Sequence, residues 1–160
     1  MLENVKIAMN FFLLFFLSSV LIPCAVLAQT TATLDMNGLT GVLAKNRGKV
    51  IAINFFATWC PPCRIEIQEL ARAADEYAGR DIVFIGLSVG ETPKVVAPFV
   101  KNMGIRYHVY MASRDITDAY RVSSIPHNAF YSRNGLLIIS EPGVIDGNTL
   151  KLVINKLLEH

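Results

Sequence analysis

The sequence predicts one α/β domain, in which a central mixed β-sheet is flanked by helices. In the first half, short apolar runs rich in β-branched residues alternate with amphipathic segments of helical period, which predicts a βαβ unit. An Asn-Gly pair at 134–135 then separates two apolar runs, which is the strongest local signal for a β-hairpin. A last amphipathic segment predicts a C-terminal helix. A chain of 160 residues suits a single domain.

The βαβ unit is predicted first along the chain. Val50–Ala57 is a nearly continuous apolar run, which is typical of a strand buried on both faces. Residues 64–78 carry apolar side chains at helical spacing, and Gly79 suits the C-terminal cap of that helix. Ile82–Val89 is a second buried strand. Because the two strands are joined through a helix, we expect them to pair in parallel.

Shorter elements follow the unit. Thr92 and Pro93 suit the start of a helix that runs to about Asn102. Its expected inward side chains are Val95, Val96, Phe99 and Val100. Tyr107–Met111 is a short strand, and Asp115–Tyr120 is a short helix that Ser113 can cap.

The last third of the chain contains the hairpin and the final helix. The hairpin strands are predicted at Asn128–Ser132 and Leu136–Ser140, and they add antiparallel strands to one edge of the sheet. The helix is predicted from about Asn148 to Leu158, with one apolar stripe.

The N-terminus and the composition indicate an exported protein. Residues 1–28 combine Lys6, a long apolar stretch and a small-residue end, which predicts a signal peptide, with an uncleaved membrane anchor as the alternative. Residues 29–37 are then a linker, and residues 38–160 form the domain. We expect a periplasmic or other extracytoplasmic location, with membrane attachment only through an uncleaved N-terminal segment. The net charge of +2 is too small to indicate nucleic-acid binding.

Cys60 and Cys63 lie where the first buried strand ends and a helix begins, in Trp59-Cys60-Pro61-Pro62-Cys63. At that point the free amides and the dipole of the helix stabilise a thiolate on Cys60, which is the species that attacks disulfides. Cys63, one turn deeper, can resolve the mixed disulfide. The alternatives are half of a zinc site or a disulfide that never turns over. Zinc is disfavoured because the histidines are scattered along the chain.

The run from Asn54 to Glu66 resembles the signature of extracytoplasmic thioredoxin-like proteins of the TlpA/ResA type, including the cytochrome c maturation reductases. Weaker similarity continues in Val83–Val89, in residues 120–126 and at Gly135. The resemblance implies a thioredoxin-like fold and a thiol–disulfide oxidoreductase with no cofactor beyond its redox-active disulfide. It also implies client proteins with cysteines or disulfides, such as apocytochrome c, and a membrane thiol-transfer protein as the reductant.

Glu66 follows Cys63 by three residues, so the two share one face of the helix. A carboxylate there can exchange a proton with the Cys63 thiol, and the resemblance implies an active-site acid at this position. The alternative is an acid that only complements the helix dipole. Asn54 stands where cytoplasmic thioredoxins bury an aspartate, and it cannot exchange protons.

Pro126 and its neighbours form the other side of the predicted site. The resemblance implies a cis Ile125–Pro126 bond, which places the Ile125 backbone opposite the cysteines to pair with an extended substrate segment. Trp59 is expected to cover the cysteines and offer an apolar contact surface, or to pack in the core. His127 is interpreted as a surface residue rather than a group that tunes the thiols. The chain departs from the common family pattern at Ser124, His127 and Asn128.

The direction of electron flow follows from Pro61 and Pro62, which lack N–H groups. Their absence leaves mainly the Cys63 amide to stabilise the Cys60 thiolate, so we expect a reductase in the lower part of the range of about −120 to −270 mV. Two rival functions stay open. One is a copper(I) chaperone that uses Cys60, Cys63 and His127. The other is a thiol peroxidase, which expects threonine three residues before its cysteine, whereas Thr58 is two before.

Overall fold

The computed structural model describes residues 32–159, and the predicted signal peptide at 1–28 lies outside them. Within that range six strands and five helices are present. The strands are β1 (Thr33–Leu34), β2 (Val50–Phe56), β3 (Ile82–Val89), β4 (His108–Ala112), β5 (His127–Tyr131) and β6 (Leu137–Pro142). The helices are α1 (Met36–Lys45), α2 (Pro61–Glu76), α3 (Pro93–Asn102), α4 (Arg114–Ala119) and α5 (Gly147–Leu158). None of these helices is long and apolar enough to cross a membrane.

The strands form one mixed sheet in the order β1-β4-β3-β2-β5-β6. Strands β1, β4, β3 and β2 are parallel, because each connection passes through a helix. The hairpin of β5 and β6 is antiparallel, and β5 also pairs antiparallel with β2. The predicted mixed sheet is therefore confirmed, with β2 at the junction of its parallel and antiparallel parts.

Helices cover both faces of the sheet, and β2 supplies side chains to each core. Ala52 and Phe56 point to one face, where they pack with the buried side of α2 and with α5. Ile53 and Phe55 point to the other face, against α1 and α4. This alternation follows from the period of two residues in a strand. All seven residues of β2 are buried, as its apolar sequence predicts.

The first strand and helix were not predicted, and both begin inside the segment interpreted as a linker. The pattern of α1 is weak because it contains Gly38 and Gly41, and only Leu39 is buried in it. The helix is held by tertiary contacts and by its cap, since the Asp35 carboxylate accepts the Gly38 N–H at 2.7 Å. Strand β1 has only two residues, too few to show a period.

Helix α3 has the predicted bounds, but one of its expected core residues is wrong. Val95 is 48% exposed, whereas Val96 and Val100 are buried. Residues four apart lie on one helical face, so Val96 and Val100 occupy the core stripe and Val95 is rotated away from it. Phe99 is partly buried and stacks on Phe56, with ring centroids 5.9 Å apart.

Candidate functional site

Cys60 and Cys63 form a disulfide at the junction of β2 and α2, with an S–S distance of 2.03 Å. The Cys60 N–H donates to the Ala57 carbonyl at 3.2 Å and closes a turn that has Thr58 and Trp59 at its corners. Cys60 is the N-terminal cap of α2, and its Sγ accepts the Cys63 N–H at 3.3 Å. The structure therefore places both cysteines as the sequence predicts.

Pro61 and Pro62 occupy the first two positions of α2. Because neither has an N–H, the Cys63 amide is the donor that reaches the Cys60 sulfur from the first turn. Fewer donors at this position mean weaker stabilisation of a Cys60 thiolate.

A groove of about 500 Å³ opens at Cys60, and Cys63 does not line it. Its lining residues are Trp59, Cys60, Pro61, Pro62, Val89, Val122, Ser123, Ser124 and Ile125. No side chain in this set carries a charge. Trp59 is 69% exposed, so it is a surface residue rather than part of the core. The groove thus presents one sulfur beside an uncharged, largely apolar surface.

The loop before β5 forms the wall opposite the cysteines. The Ile125–Pro126 peptide bond is cis, which confirms that prediction. The Ile125 carbonyl oxygen lies 3.9 Å from the Cys60 Sγ. Ile125 and the disulfide therefore face each other across the groove.

Glu66 lies on the inner face of α2, three residues after Cys63, and is fully buried. One carboxylate oxygen accepts the Asn54 amide N–H at 2.7 Å. The other accepts the Asn128 amide N–H at 2.8 Å and the Ile145 backbone N–H at 2.6 Å. Asn54 also donates to the Asn128 side-chain oxygen at 3.0 Å. The carboxylate is surrounded by donors that suit its ionised form, and no cation is among these partners.

Burial raises the pKa of Glu66 above its ordinary value of 4.5, and the three hydrogen bonds to the carboxylate oppose this rise. Tyr107 is coupled to the same group, because its own burial and then the Glu66 charge raise the pKa of Tyr107. A buried carboxyl group whose pKa is raised, on the residue one helical turn from Cys63, is suited to exchange a proton with a thiol.

His127 is buried, so its interpretation as a surface residue is wrong. It pairs with Phe55 in the sheet, which places both side chains on the face opposite α2. Its Nε2 lies 2.9 Å from the Ser140 hydroxyl, and burial lowers the pKa of His127. Within residues 32–159 no three His, Cys, Asp or Glu side chains are grouped to hold a metal ion. The copper ligand set of Cys60, Cys63 and His127 is thus not brought together.

Two residues that contact the site were not predicted as functional. From the sequence, Asn128 is only a departure from a family pattern, yet its side chain bridges Glu66 and the Gly143 carbonyl. Glu91 accepts hydrogen bonds from Thr58, beside the cysteines. The Glu91 contact spans 33 residues and the Glu66–Asn128 contact spans 62, so no local spacing signals either one.

A family model described as "AhpC/TSA family" matches residues 27–147, about three quarters of the chain. The chain belongs to the AhpC/TSA family. In this AhpC/TSA-family protein the Thr58 hydroxyl donates its hydrogen bond to Glu91 at 2.5 Å, so it does not donate to a cysteine sulfur.

Curated relatives of this AhpC/TSA-family protein include two named thiol-disulfide oxidoreductase ResA. The protein from Bacillus subtilis (strain 168) is 30% identical over 105 residues, which are 65% of this chain and 59% of that protein. The protein from Geobacillus kaustophilus (strain HTA426) is 27% identical over 126 residues, which are 78% and 70% of the two chains. The match to the Bacillus subtilis relative thus spans less than two thirds of that protein.

Solved structures also resemble the fold. A thiol:disulfide interchange protein of the thioredoxin family from Chlorobium tepidum TLS is 30% identical, with a TM-score of 0.68, and the match covers 72% of this chain and 83% of that one. A thiol-disulfide isomerase from Corynebacterium glutamicum has the same TM-score at 22% identity, with 73% and 86% of the chains covered. The second likeness concerns the fold alone. The predicted thioredoxin-like fold is confirmed.

Proposed function

We propose that this AhpC/TSA-family protein is an extracytoplasmic thiol–disulfide oxidoreductase that reduces disulfides in client proteins. The observation that carries the proposal is the placement of the two sulfurs. Cys60 caps α2, is 3% exposed and lines an open groove, whereas Cys63 is fully buried one turn deeper and bonded to it. The names of the ResA relatives support the same activity.

In the proposed reaction the reduced protein begins with a Cys60 thiolate at the start of α2. This thiolate attacks one sulfur of a client disulfide, so that a mixed disulfide forms and one client thiolate leaves. Cys63 then loses its proton and attacks Cys60. The Cys60–Cys63 disulfide forms, the second client thiolate leaves, and two electrons have passed to the client.

Glu66 is proposed to serve the second step. Glu66 follows Cys63 by one helical turn, and its raised pKa makes its carboxylate a competent acceptor for the thiol proton. In the reverse half of the cycle it returns the proton as Cys63 leaves the disulfide. Because the carboxylate already accepts three hydrogen bonds, it needs no rearrangement to carry the charge.

The groove is proposed to hold the client segment next to its cysteine. The Ile125 backbone faces Cys60 and can pair with an extended chain, while Trp59 offers an apolar surface. Since the groove lining carries no charge, client recognition depends on backbone pairing and apolar contact rather than on ion pairs.

The reducing direction is proposed from Pro61 and Pro62, which leave the Cys60 thiolate with few N–H donors. A reductase outside the cytoplasm needs an electron supply, for which we propose a membrane thiol-transfer protein, with apocytochrome c among the clients. No cofactor beyond the cysteine pair is required. An N-terminal signal or anchor at residues 1–28 is proposed to deliver the domain to that compartment.

A trapping experiment tests the proposal. In Cys63→Ala the attacking sulfur remains but the mixed disulfide cannot be resolved, so the variant should accumulate covalent adducts with client proteins in cells. In the matched control, Cys60→Ala, the remaining cysteine is fully buried and should trap nothing. Adducts on neither variant, or equal adducts on both, would contradict the proposal.

A further inference from the structure

A second carboxylate, that of Glu91, holds the turn that delivers Trp59 and Cys60. Glu91 follows β3 by two residues and is partly buried. One of its oxygens accepts the Thr58 N–H at 2.9 Å and the Ser88 hydroxyl at 2.7 Å. The other accepts the Thr58 hydroxyl at 2.5 Å. Three donors from two strand ends thus converge on one side chain.

The turn needs this acceptor because of its own geometry. Its closing hydrogen bond joins the Cys60 N–H to the Ala57 carbonyl, so the N–H of Thr58 at the first corner has no acceptor within the turn. The Ser88 hydroxyl is also fully buried. A partly buried N–H and a buried hydroxyl are costly to leave unpaired, and Glu91 satisfies both.

The chain path brings Glu91 to this place. Gly90 has a φ of +71°, a left-handed conformation that glycine adopts without strain. The chain reverses there, so that Glu91 bonds back to Ser88, three residues earlier, and across to Thr58 on the neighbouring strand end. The contact joins the parallel strands β2 and β3 next to the groove, whose wall includes Val89.

We propose that Glu91 is a positioning residue for thiol–disulfide exchange: it fixes the Thr58–Trp59 turn, and so holds Trp59 and the Cys60 sulfur in place at the groove. The inference rests on the proposed function. It concerns a group that touches neither client nor sulfur and acts through Thr58. Loss of the three contacts frees the turn, so the sulfur meets a client disulfide in the reactive geometry less often.

Variants at position 91 distinguish the effect of the three hydrogen bonds of Glu91 from the effect of its negative charge. The Glu91→Gln side chain can keep all three contacts, because its carbonyl accepts two of them and its amide donates to the Thr58 hydroxyl. Glu91→Ala removes all three. Thr58→Val removes one contact and serves if the alanine variant does not fold. Asp115→Ala is the matched control, since Asp115 also accepts from two backbone N–H groups and one hydroxyl but joins α4 to α1.

The experiment measures the rate constant for reduction of a model protein disulfide, with insulin as the probe, and the fluorescence anisotropy of Trp59. Trp59 is the only tryptophan in the chain, so the fluorescence originates in the turn, and variants of the same size differ in anisotropy through local motion there. Glu91→Ala should lower the rate constant about tenfold and lower the anisotropy. Glu91→Gln should restore most of both, and Asp115→Ala should change neither.

The outcomes are distinct from those that test the proposed function. If the wild-type protein does not exchange with insulin or any dithiol, the proposed function fails. If the wild type reacts but Glu91→Ala and Thr58→Val match it in rate and anisotropy, the positioning role is overturned. Equal losses in Glu91→Ala and Asp115→Ala would also overturn it, because they would reflect general destabilisation. Equal losses in Glu91→Gln and Glu91→Ala would show that charge, not position, matters.

Discussion

Replacement of Asn128 by alanine tests how the buried Glu66 charge is held. Asn128 is 5% exposed, and its side chain makes three hydrogen bonds. It donates to the Glu66 carboxylate at 2.8 Å and to the Gly143 carbonyl at 3.1 Å, and it accepts from Asn54 at 3.0 Å. The bond to the carboxylate is charge-assisted, whereas the other two are neutral.

The expected loss of stability follows from these contacts. A hydrogen bond to a charged group contributes about 1.5 to 3 kcal/mol, and a neutral one contributes about 1 kcal/mol. Asn54 keeps its bond to Glu66, and the exposed Gly143 carbonyl can bond to water, so the neutral bonds add little. We therefore expect Asn128→Ala to lower the free energy of unfolding by about 2 to 4 kcal/mol at about pH 8.

The loss should shrink in acid. The Asn128 donor lowers the pKa of Glu66, so its removal raises further a pKa that burial has already raised above 4.5. Between the pKa of Glu66 in the folded wild type and its higher pKa in the folded variant, the variant binds more protons than the wild type. As the pH falls through this range, the variant therefore gains stability relative to the wild type. Below both values Glu66 is neutral in each protein, and the charge-assisted contribution has gone. We therefore expect the loss of unfolding free energy at about pH 5 to be smaller than the loss at about pH 8.

Urea unfolding of the oxidised proteins at about pH 8 and about pH 5 measures the difference in unfolding free energy between the wild type and Asn128→Ala. The matched control is Asn155→Ala, which removes one neutral bond, with the Tyr77 hydroxyl at 2.9 Å, from an exposed asparagine. That control should lose about 1 kcal/mol or less at both pH values. The His127 side chain lies with Phe55 on the face of the sheet opposite Glu66, so we expect its contribution to be similar in the three proteins and to cancel in the differences. A loss for Asn128→Ala that is the same at both pH values, or below about 0.5 kcal/mol at pH 8, would refute the reasoning.

Three further predictions concern the reaction itself. Glu66→Gln should slow exchange about a hundredfold and remove the limb of the pH–rate profile that reflects the raised pKa of Glu66. Stopped-flow kinetics measures this profile, and a variant that keeps the limb would contradict the role of Glu66 as proton acceptor. Trp59→Ala should raise the KM for a protein disulfide about fivefold. Because Trp59 is 69% exposed, the same variant should change the free energy of unfolding by less than about 0.5 kcal/mol. An unchanged KM would show that Trp59 does not contribute to client binding. Pro62→Ala adds an N–H that can reach the Cys60 sulfur, so it should raise the redox potential by ~30 mV, which is a tenfold change in the equilibrium constant. Pro61→Ala adds an N–H one position earlier and should change the potential less. Equal shifts of the two variants in glutathione titrations would contradict the role given to this N–H donor.

The sequence predicts those parts of the fold whose patterns are local and strong. Strand β3 and helix α3 have the predicted bounds, and β2 ends one residue early, because their apolar runs and caps lie within a few residues of each other. Helix α1 was missed because its two glycines and single buried leucine leave almost no period. Strand β1 exists only through its pairing with β4, to which no local pattern points.

The functional site likewise contains residues placed by local spacing and residues brought in from distant parts of the chain. The cysteine pair, the helix start and Glu66 lie within seven residues, so their geometry follows from helical spacing. The side of the sheet on which His127 lies depends on its register with Phe55, 72 positions earlier in the chain, and this decides that it is buried. The partners of Glu66 and Thr58 come from distant strands and loops, and only the folded topology brings Asn128 and Glu91 to them.

The central claim is that Cys60 and Cys63 interconvert between dithiol and disulfide at the mouth of α2. It is tested most directly by equilibrating the purified domain with dithiol buffers of graded potential and following Trp59 fluorescence together with mass-tagged thiols. We expect one two-electron transition in the lower half of the range of about −120 to −270 mV, abolished in Cys63→Ala. A pair that stays in one state across all buffers would contradict the claim, and a midpoint near −120 mV would contradict the reducing direction.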